Sequence, residues 1–164
     1  MHTMSNTVQN SCMRNRRILG IILFVLYIGF LLWFLIASDW YGRSGVMEDY
    51  HYNLTPFQEI KRFWQYREQL GLTSVLNLLG NVLIFLPYGF FEAMASRNES
   101  FWGTLLDGLS LSLLVEIFQF ATKVGCFDVD DIILNTAGVI IGYLLYLLNE
   151  AKRRKHGAKR ERTR

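Results

Sequence analysis

Residues 128–148 read DVDDIILNTAGVIIGYLLYLL, an acidic start followed by a long apolar run, and this pattern decides the fold of the 164-residue chain. Similar apolar runs cover residues 18–37, 74–95 and 101–121, and the fourth run itself covers 132–148. Each is close to the ~20 residues with which a helix crosses the hydrocarbon core of a bilayer. The runs are continuous rather than alternating, which favours helices over barrel strands. The sequence therefore predicts an all-α integral membrane protein, a bundle of four transmembrane helices plus one extracytoplasmic amphipathic surface helix.

The basic residues concentrate at the two ends of the chain and predict its orientation. Arg14, Arg16 and Arg17 precede the first run, and a basic tail follows the last. Lys and Arg that flank membrane spans are retained in the cytoplasm, so both termini are predicted to be cytoplasmic, which requires an even number of spans. This division gives three parts: a basic N-terminus at 1–17, a membrane domain at 18–148, and a basic tail at 149–164.

Composition also restricts the partners of the chain. It is 51% hydrophobic with a net charge of +3, and four apolar runs separated by short polar gaps exceed what one small soluble core could bury. The lipid bilayer is therefore the predicted partner, with anionic headgroups near the basic tail. Nucleic acid is not a predicted partner, because the tail has no base-reading module behind it. Oligomerisation stays open.

The loop at 38–73 is the largest segment outside the predicted spans, and it contains a predicted helix over 55–70. Thr55 is a suitable N-cap, and Gln58 three residues later completes a capping box. Gly71 predicts the end of this helix. The helix is amphipathic, so it either lies on the outer membrane surface or folds over the mouth of the bundle. Its predicted lipid contacts are aromatic: Phe57, Phe63 and Trp64.

Polar side chains fall at the predicted outer ends of the second, third and fourth spans. Polar groups within a membrane are costly to bury and often mark functional sites. The sequence therefore predicts one outward-facing polar pocket that binds a ligand, formed by Asn77, Asn81, Glu116, Gln119, Asp128, Asp131 and Asn135.

The same residues also allow a purely structural interpretation. Amides and carboxyls between membrane helices often only hold the helices together, at roughly 0.6–2 kcal/mol per contact. Asp128 follows a loop and is a candidate N-cap for the fourth span. Glu116 is expected to be either protonated or hydrogen bonded by Asn side chains and water.

Glycines on the fourth span predict close helix packing. Gly138 and Gly142 continue the helical stripe of Asp131 and Asn135, and small residues four apart allow another helix to approach closely. In the second span, Pro87 is expected to kink the helix.

Catalytic and metal-binding patterns are weak. The histidines lie outside the runs, so neither a Ser–His nor a Cys–His nucleophile system is predicted. Asp128 and Asp131 are weak metal candidates, since acids three residues apart on one helix face are common by chance. No cofactor is predicted, and no catalytic residue is assigned, although Glu116 is the candidate.

Three segments carry a resemblance to a known family. They are NVLIFLPYG at 81–89, SLLVEIFQ at 112–119 and DVDDIILNTAG at 128–138, and they resemble the signature segments of the VanZ-like membrane proteins. The stretch NLTPF at 53–57 resembles a further one in the first outer loop. The resemblance implies a multi-pass protein of the bacterial cell membrane, and a role in low-level resistance to the glycopeptide antibiotic teicoplanin.

Three functions remain open at this point. In the first, the pocket and the surface helix recognise an amphipathic ligand, which the resemblance implies is a lipidated glycopeptide or the cell-wall lipid precursor it targets. In the second, the protein is a membrane enzyme acting on a lipid-linked cell-envelope substrate, with Glu116 as general acid or base. In the third, it is a small oligomeric transporter. The third is disfavoured because only Asp107 provides a polar group in the inner halves of the spans.

Overall fold

The protein is described here by a computed structural model. Its backbone is described for residues 2–42, 50–96, 100–123 and 126–162. Side chains are described over a narrower set: 14–34, 50–66, 68–69, 72, 76, 78–96, 100–123 and 126–157. Five helices and two short strands follow one another along these residues: α1 (His2–Gly42), β1 (Tyr52–Asn53), α2 (Gln58–Gln65), α3 (Arg67–Ala95), α4 (Phe101–Thr122), β2 (Phe127–Asp128) and α5 (Val129–Arg162).

The four long helices confirm the predicted all-α membrane architecture. Within the described residues, α1, α3, α4 and α5 each contain a segment long and apolar enough to cross a bilayer. These segments are Arg14–Phe34, Leu78–Ala95, Phe101–Thr122 and Val129–Gly157. Large apolar side chains on their outer faces are exposed, which is the pattern expected where lipid rather than water surrounds the helices. The chain is a multi-pass membrane protein.

Contacts between basic residues and helix ends bring three spans together at one end of the bundle, called here the terminal end. Arg16 of α1 forms an ion pair with Glu150 of α5 and lies 5.4 Å from the Tyr146 ring centroid. Arg17 donates from Nε to the carbonyl oxygen of Ala95, the last residue of α3, at 3.0 Å. The start of the first span and the end of the fourth are therefore on the same side, as an even number of spans requires. Which side is cytoplasmic stays a prediction from charge.

The α3–α5 interface confirms the close packing predicted from the glycines of the fourth span. A Cβ atom built on Gly138 would lie 2.3 Å from the carbonyl oxygen of Val82, and one on Gly142 would lie 2.0 Å from that of Leu86. Gly89 makes the reciprocal approach from α3 to the backbone of Val139. These distances leave no room for a side chain, so the two backbones touch. Pro87 lies within α3, one residue beyond Leu86.

The predicted surface helix exists but its boundaries were wrong. Helix α2 begins at Gln58, and the Thr55 side chain does not cap it. Instead, the Thr55 amide donates to Asn53 Oδ1 at 3.0 Å, while the Thr55 carbonyl accepts from Gln58 N at 3.3 Å in a turn. The helix ends at Gln65, and Gly71 lies inside the next helix, α3, rather than after α2.

The two short strands fasten the loop after α1 to the start of α5. Tyr52 pairs with Phe127 and Asn53 with Asp128 in a parallel ladder. The Phe127 amide also donates to the carbonyl of His51 at 3.1 Å. This pair and α2 lie at the end of the bundle opposite the terminal end, called here the loop end.

A bulky residue at Gly142 is expected to separate α3 from α5. Gly142→Leu should destabilise the protein by about 1–3 kcal/mol or more, because the new side chain meets backbone that cannot move aside. The measurement is the amount of protein in membranes and its thermal midpoint after purification. Gly29→Leu is the matched control, because a Cβ at Gly29 meets nothing within 4 Å. Equal abundance of the two variants would contradict the close packing.

The predicted orientation can be tested by cysteine labelling. On a Cys12→Ser, Cys126→Ser background, a cysteine at exposed Lys61 of α2 should react with a membrane-impermeant maleimide in intact cells. A cysteine at exposed Lys152, beyond the terminal end, should react only after the cells are opened. The reverse pattern would place α2 in the cytoplasm.

Candidate functional site

Asp128 is the centre of a hydrogen-bonded network at the loop end. It directly precedes α5, and its Oδ1 accepts from the Asp130 amide at 2.8 Å, which is an N-cap bond. The same oxygen accepts from Asn53 Nδ2 at 3.1 Å, so the cap also holds β1 in place. The Asp128 amide donates to Glu116 Oε2 at 3.0 Å. One residue therefore joins β1, α4 and α5.

Asp130 caps α2 from a distant part of the sequence. Its carboxylate accepts from the Phe57 amide through Oδ1, and through Oδ2 from the amides of Glu59 at 2.8 Å and Ile60 at 3.2 Å. Asp130 is completely buried. A carboxylate at this place satisfies amides that have no partner within the helix and interacts favourably with the positive end of the helix dipole. The sequence reasoning did not select Asp130.

Asn81 and Asp131 connect the second span to the fourth. Asn81 Nδ2 donates to Asp131 Oδ1 in a short hydrogen bond between α3 and α5. Both side chains are half-buried, so their polar groups border the space between these helices and α2. The sequence prediction placed these two residues in one site, and the structure brings them into contact.

A second group of polar side chains lies deeper in the bundle, between α4 and α5. Glu116 is only 2% exposed, and it accepts a hydrogen bond from the Asp128 amide. One turn further into the bundle, Asn135 Nδ2 donates to Ser112 Oγ at 2.9 Å. Asn135 Oδ1 is buried and has no hydrogen-bond partner among the described residues. These buried groups hold the helices together and support the residues in front of them.

A cavity of about 640 Å³ opens at the loop end among α1, α2, α3 and the start of α5. Its polar wall carries amide, carboxylate and guanidinium groups, and its apolar wall carries aromatic and aliphatic side chains. The polar wall is formed by Glu59, Arg62, Asn81, Asp128, Asp130 and Asp131, and the apolar wall by Phe30, Phe34, Phe63, Leu76, Leu78, Leu83, Ile84 and Leu134. Gly80 also borders the cavity.

The cavity brings together some of the predicted site residues and not others. Asn81, Asp128, Asp131 and Phe63 line it. Three others do not: Glu116 and Asn135 are buried behind the wall, and Gln119 is half-buried on α4. Of the predicted lipid contacts, Phe57 and Trp64 are exposed outside the cavity lining, at the surface of the loop end. The Asn77 side chain lies outside the described residues.

Burial raises the pKa values of two carboxyl groups in the polar part of the cavity lining. Removal from water raises the pKa of Asp128, an effect that its hydrogen bonds from Asp130 N and Asn53 partly offset while the charge of Asp130 adds to it. Burial also raises the pKa of Glu59, with Arg62 opposing and Asp128 and Asp130 reinforcing the shift. Glu59 and Arg62 form an ion pair at 2.6 Å.

Near the terminal end, a polar pair corrects one step of the sequence reasoning. Glu92 of α3 accepts a short hydrogen bond from Thr104 Oγ1 of α4, and Thr104 is only 2% exposed. Asp107 is therefore not alone in the inner halves of the spans, and the argument that disfavoured a transporter on that ground was wrong. Glu92 was overlooked because it lies inside an apolar run. Val139 is buried between this pair and Asn135, and it packs against Gly108 of α4.

Metal ligation finds no support in the described part of the chain. Over those residues, no group of three or more His, Cys, Asp or Glu side chains is arranged to hold an ion. Of the two weak candidates, Asp128 accepts through Oδ1 from Asp130 N and Asn53 Nδ2, and Asp131 accepts through Oδ1 from Asn81 Nδ2.

Comparison with known proteins gives two matches over most of the chain. The profile of a protein family described as VanZ/LLP1 matches residues 24–150. The chain is similar to Protein VanZ of Enterococcus faecium, at 33% identity over 136 residues, which is 81% of this chain and 76% of that protein. No solved structure matches.

Loss of the Asp130 carboxylate is expected to release α2. Asp130→Ala leaves three amides without their acceptor and should cost about 1–3 kcal/mol of local stability. Hydrogen exchange over Gln58–Gln65, measured in nanodiscs, should then become faster while α5 stays protected. Asp107→Ala, an exposed acid on α4, is the control. Unchanged exchange in α2 of the Asp130 variant would show that the cap does not hold this helix.

Proposed function

The chain belongs to the VanZ/LLP1 family, and from that membership we propose that it contributes to resistance against teicoplanin-type glycopeptides by binding an amphipathic ligand at the loop end. The ligand class follows from the resemblance of the sequence segments: a lipidated glycopeptide or the cell-wall lipid precursor that it targets. Both have a polar head and an acyl or prenyl chain. Neither requires a reaction to be catalysed.

The observation that supports this proposal is the combination of polar and apolar side chains in the cavity lining. Ligand sites of ~300–1,000 Å³ with a mainly apolar lining and a few convergent polar groups are typical of small-molecule recognition. Here the lining includes the hydrogen-bonding groups of Asn81 and Asp131 and the rings of Phe30, Phe34 and Phe63. An amphipathic molecule has both a polar part and an apolar part to match this lining.

Helix α2 covers part of this cavity and is held there by few contacts. None of its residues is buried, and its N-terminus depends on the Asp130 carboxylate. Phe63, Glu59 and Arg62 face the cavity from α2, while Trp64 on its outer side is 71% exposed. The helix is therefore suited to closing over a bound head group, with Trp64 and Phe57 in the interfacial region.

The position of Glu116 argues against the enzymatic alternative. A general acid or base must come within hydrogen-bond reach of the substrate. Glu116 is buried and accepts from the Asp128 backbone, and it does not line the cavity. It supports the polar wall from behind, so we assign it a positioning role.

Filling the cavity is expected to abolish resistance without unfolding the protein. Gly80 borders the cavity, and a Cβ there meets nothing within 4 Å, so Gly80→Leu adds bulk without a backbone clash. Because a well-packed filler should exclude the ligand, cells producing this variant should be as susceptible to teicoplanin as cells lacking the protein. The measurement is the inhibitory concentration at matched membrane abundance.

The control for this experiment is Gly29→Leu. Gly29 is an exposed glycine on α1 that also has open space around it but does not border the cavity. This variant should keep the wild-type inhibitory concentration. Full resistance in the Gly80→Leu strain would contradict a role for the cavity.

A further inference from the structure

Asp107 places a carboxyl group on the outer surface of a membrane-spanning helix. It is the seventh residue of α4, which runs from Phe101 to Thr122 and is one of the spanning segments. With 1.5 Å of rise per residue, it lies about 9 Å from the start of a helix that is about 33 Å long. Its side chain is exposed on the surface of the bundle. In a single copy of the chain, Asp107 therefore faces lipid.

Lipid does not satisfy the polar atoms of this side chain. Among the described residues, no hydrogen bond or ion pair joins Asp107 to another residue. Its single methylene group is too short to carry the carboxyl to the head groups, as the long side chains of Lys and Arg do. Ionisable side chains within membrane spans are costly to expose to hydrocarbon and normally face protein or water. We therefore expect another protein surface to cover this part of α4.

The residues around Asp107 form a stripe along α4 that matches the geometry of a helix pair. Six exposed residues recur at alternating intervals of four and three positions, on the side of the helix away from its buried residues. They are Gly103, Asp107, Ser110, Leu114, Ile117 and Ala121. This alternation gives the 3.5-residue period of paired helices. Gly103, Ser110 and Ala121 are small, so the backbone of a partner helix can approach closely.

The chemistry of Asp107 is complementary to itself. Two copies of one chain insert into the membrane in the same orientation, so a two-fold axis along the membrane normal makes their α4 helices parallel and places equal residues at equal depth. In its neutral form a carboxyl group both donates and accepts a hydrogen bond, so two Asp107 side chains can satisfy each other across the axis. Ser110 Oγ already donates to the carbonyl oxygen of Leu106 at 2.7 Å and needs no further acceptor in such a contact.

We propose that the protein forms a two-fold dimer in the membrane through the α4 stripe, with the two Asp107 side chains hydrogen bonded to each other. None of the six stripe residues belongs to the described lining of the cavity. Each copy therefore keeps its own cavity, and the dimer does not depend on the proposed function.

Cysteine cross-linking in native membranes tests which face of α4 meets a second copy. On the Cys12→Ser, Cys126→Ser background, Ser110→Cys places a thiol on the stripe. Leu109→Cys places one at the same depth on an exposed position off the stripe. A disulfide requires Cα atoms within about 7 Å, so oxidation with copper phenanthroline should link most of the Ser110→Cys protein and little of the Leu109→Cys protein. Equal cross-linking at the two positions, or none at Ser110, would overturn the proposal.

Two substitutions of Asp107 then separate hydrogen bonding from charge. Asn also donates and accepts, so Asp107→Asn should keep the dimer, whereas Asp107→Leu should weaken it about three- to thirtyfold. The measurement is energy transfer between donor- and acceptor-labelled copies in liposomes over a series of protein-to-lipid ratios. Glu68→Leu, at an exposed acid of α3 outside the stripe, is the control and should leave the dissociation constant unchanged.

The outcomes of the two experiments distinguish the second copy from other partners. An unchanged dimer in the Asp107→Leu variant would overturn the assigned role of the carboxyl. An equal loss in Asp107→Asn and Asp107→Leu would show that the negative charge is needed, which contradicts pairing between two neutral carboxyl groups. If Asp107→Leu fails to accumulate in membranes, the cross-linking pattern of the proteins that retain Asp107 still decides. A monomeric protein whose Gly80→Leu variant loses resistance would refute the dimer and leave the proposed function standing.

Discussion

The start of α5 is the constraint on which the loop end depends. Asp128 caps its own helix and holds β1 through Asn53, and Asp130, two residues later, caps α2. In a bilayer interface, unsatisfied backbone N–H groups are costly, so these two carboxylates determine where the loop residues can settle. Glu116 of α4 accepts a hydrogen bond from the Asp128 amide, which ties the start of α5 to α4. Asp128 and Asp130 also border the cavity, so the residues that hold the loop end together form part of its lining.

The main features of the bundle could be predicted because they follow from length and periodicity. A run of about 20 apolar residues has few alternatives to a membrane-spanning helix. Glycines four residues apart, such as Gly138 and Gly142, predict close helix packing from the local sequence alone, since only backbone fits at such a contact. Asn81 and Asp131 could be placed together because topology puts their helix ends on one side.

The details of the loop could not be predicted because they depend on residues far away in sequence. A capping box at Thr55 was a sound local pattern, but Asn53 occupies the Thr55 amide and Asp130 satisfies the helix N-terminus instead. Glu92 was missed for a related reason. Its run is apolar on average, and only the facing Thr104 on α4 shows that a carboxyl has a place there. Tertiary partners decide in each of these cases, and a single sequence does not identify them.

The contact between α1 and α3 determines how a tilt of α1 would move the cavity wall. At Gly20 the two backbones nearly touch, since a Cβ there would lie 2.8 Å from the carbonyl carbon of Met94. Further along the same helices, Tyr27 and Leu31 pack against Phe85 and Tyr88, and Phe34 borders the cavity. With 1.5 Å of rise per residue, the arm from Gly20 to Phe34 is about 21 Å long. A change of about 5° in the crossing angle would therefore move Phe34 by roughly 2 Å, and the buried cluster of Tyr27, Leu31, Phe85 and Tyr88 opposes that movement. The cavity wall on α1 is therefore held by this cluster as well as by the contact at Gly20.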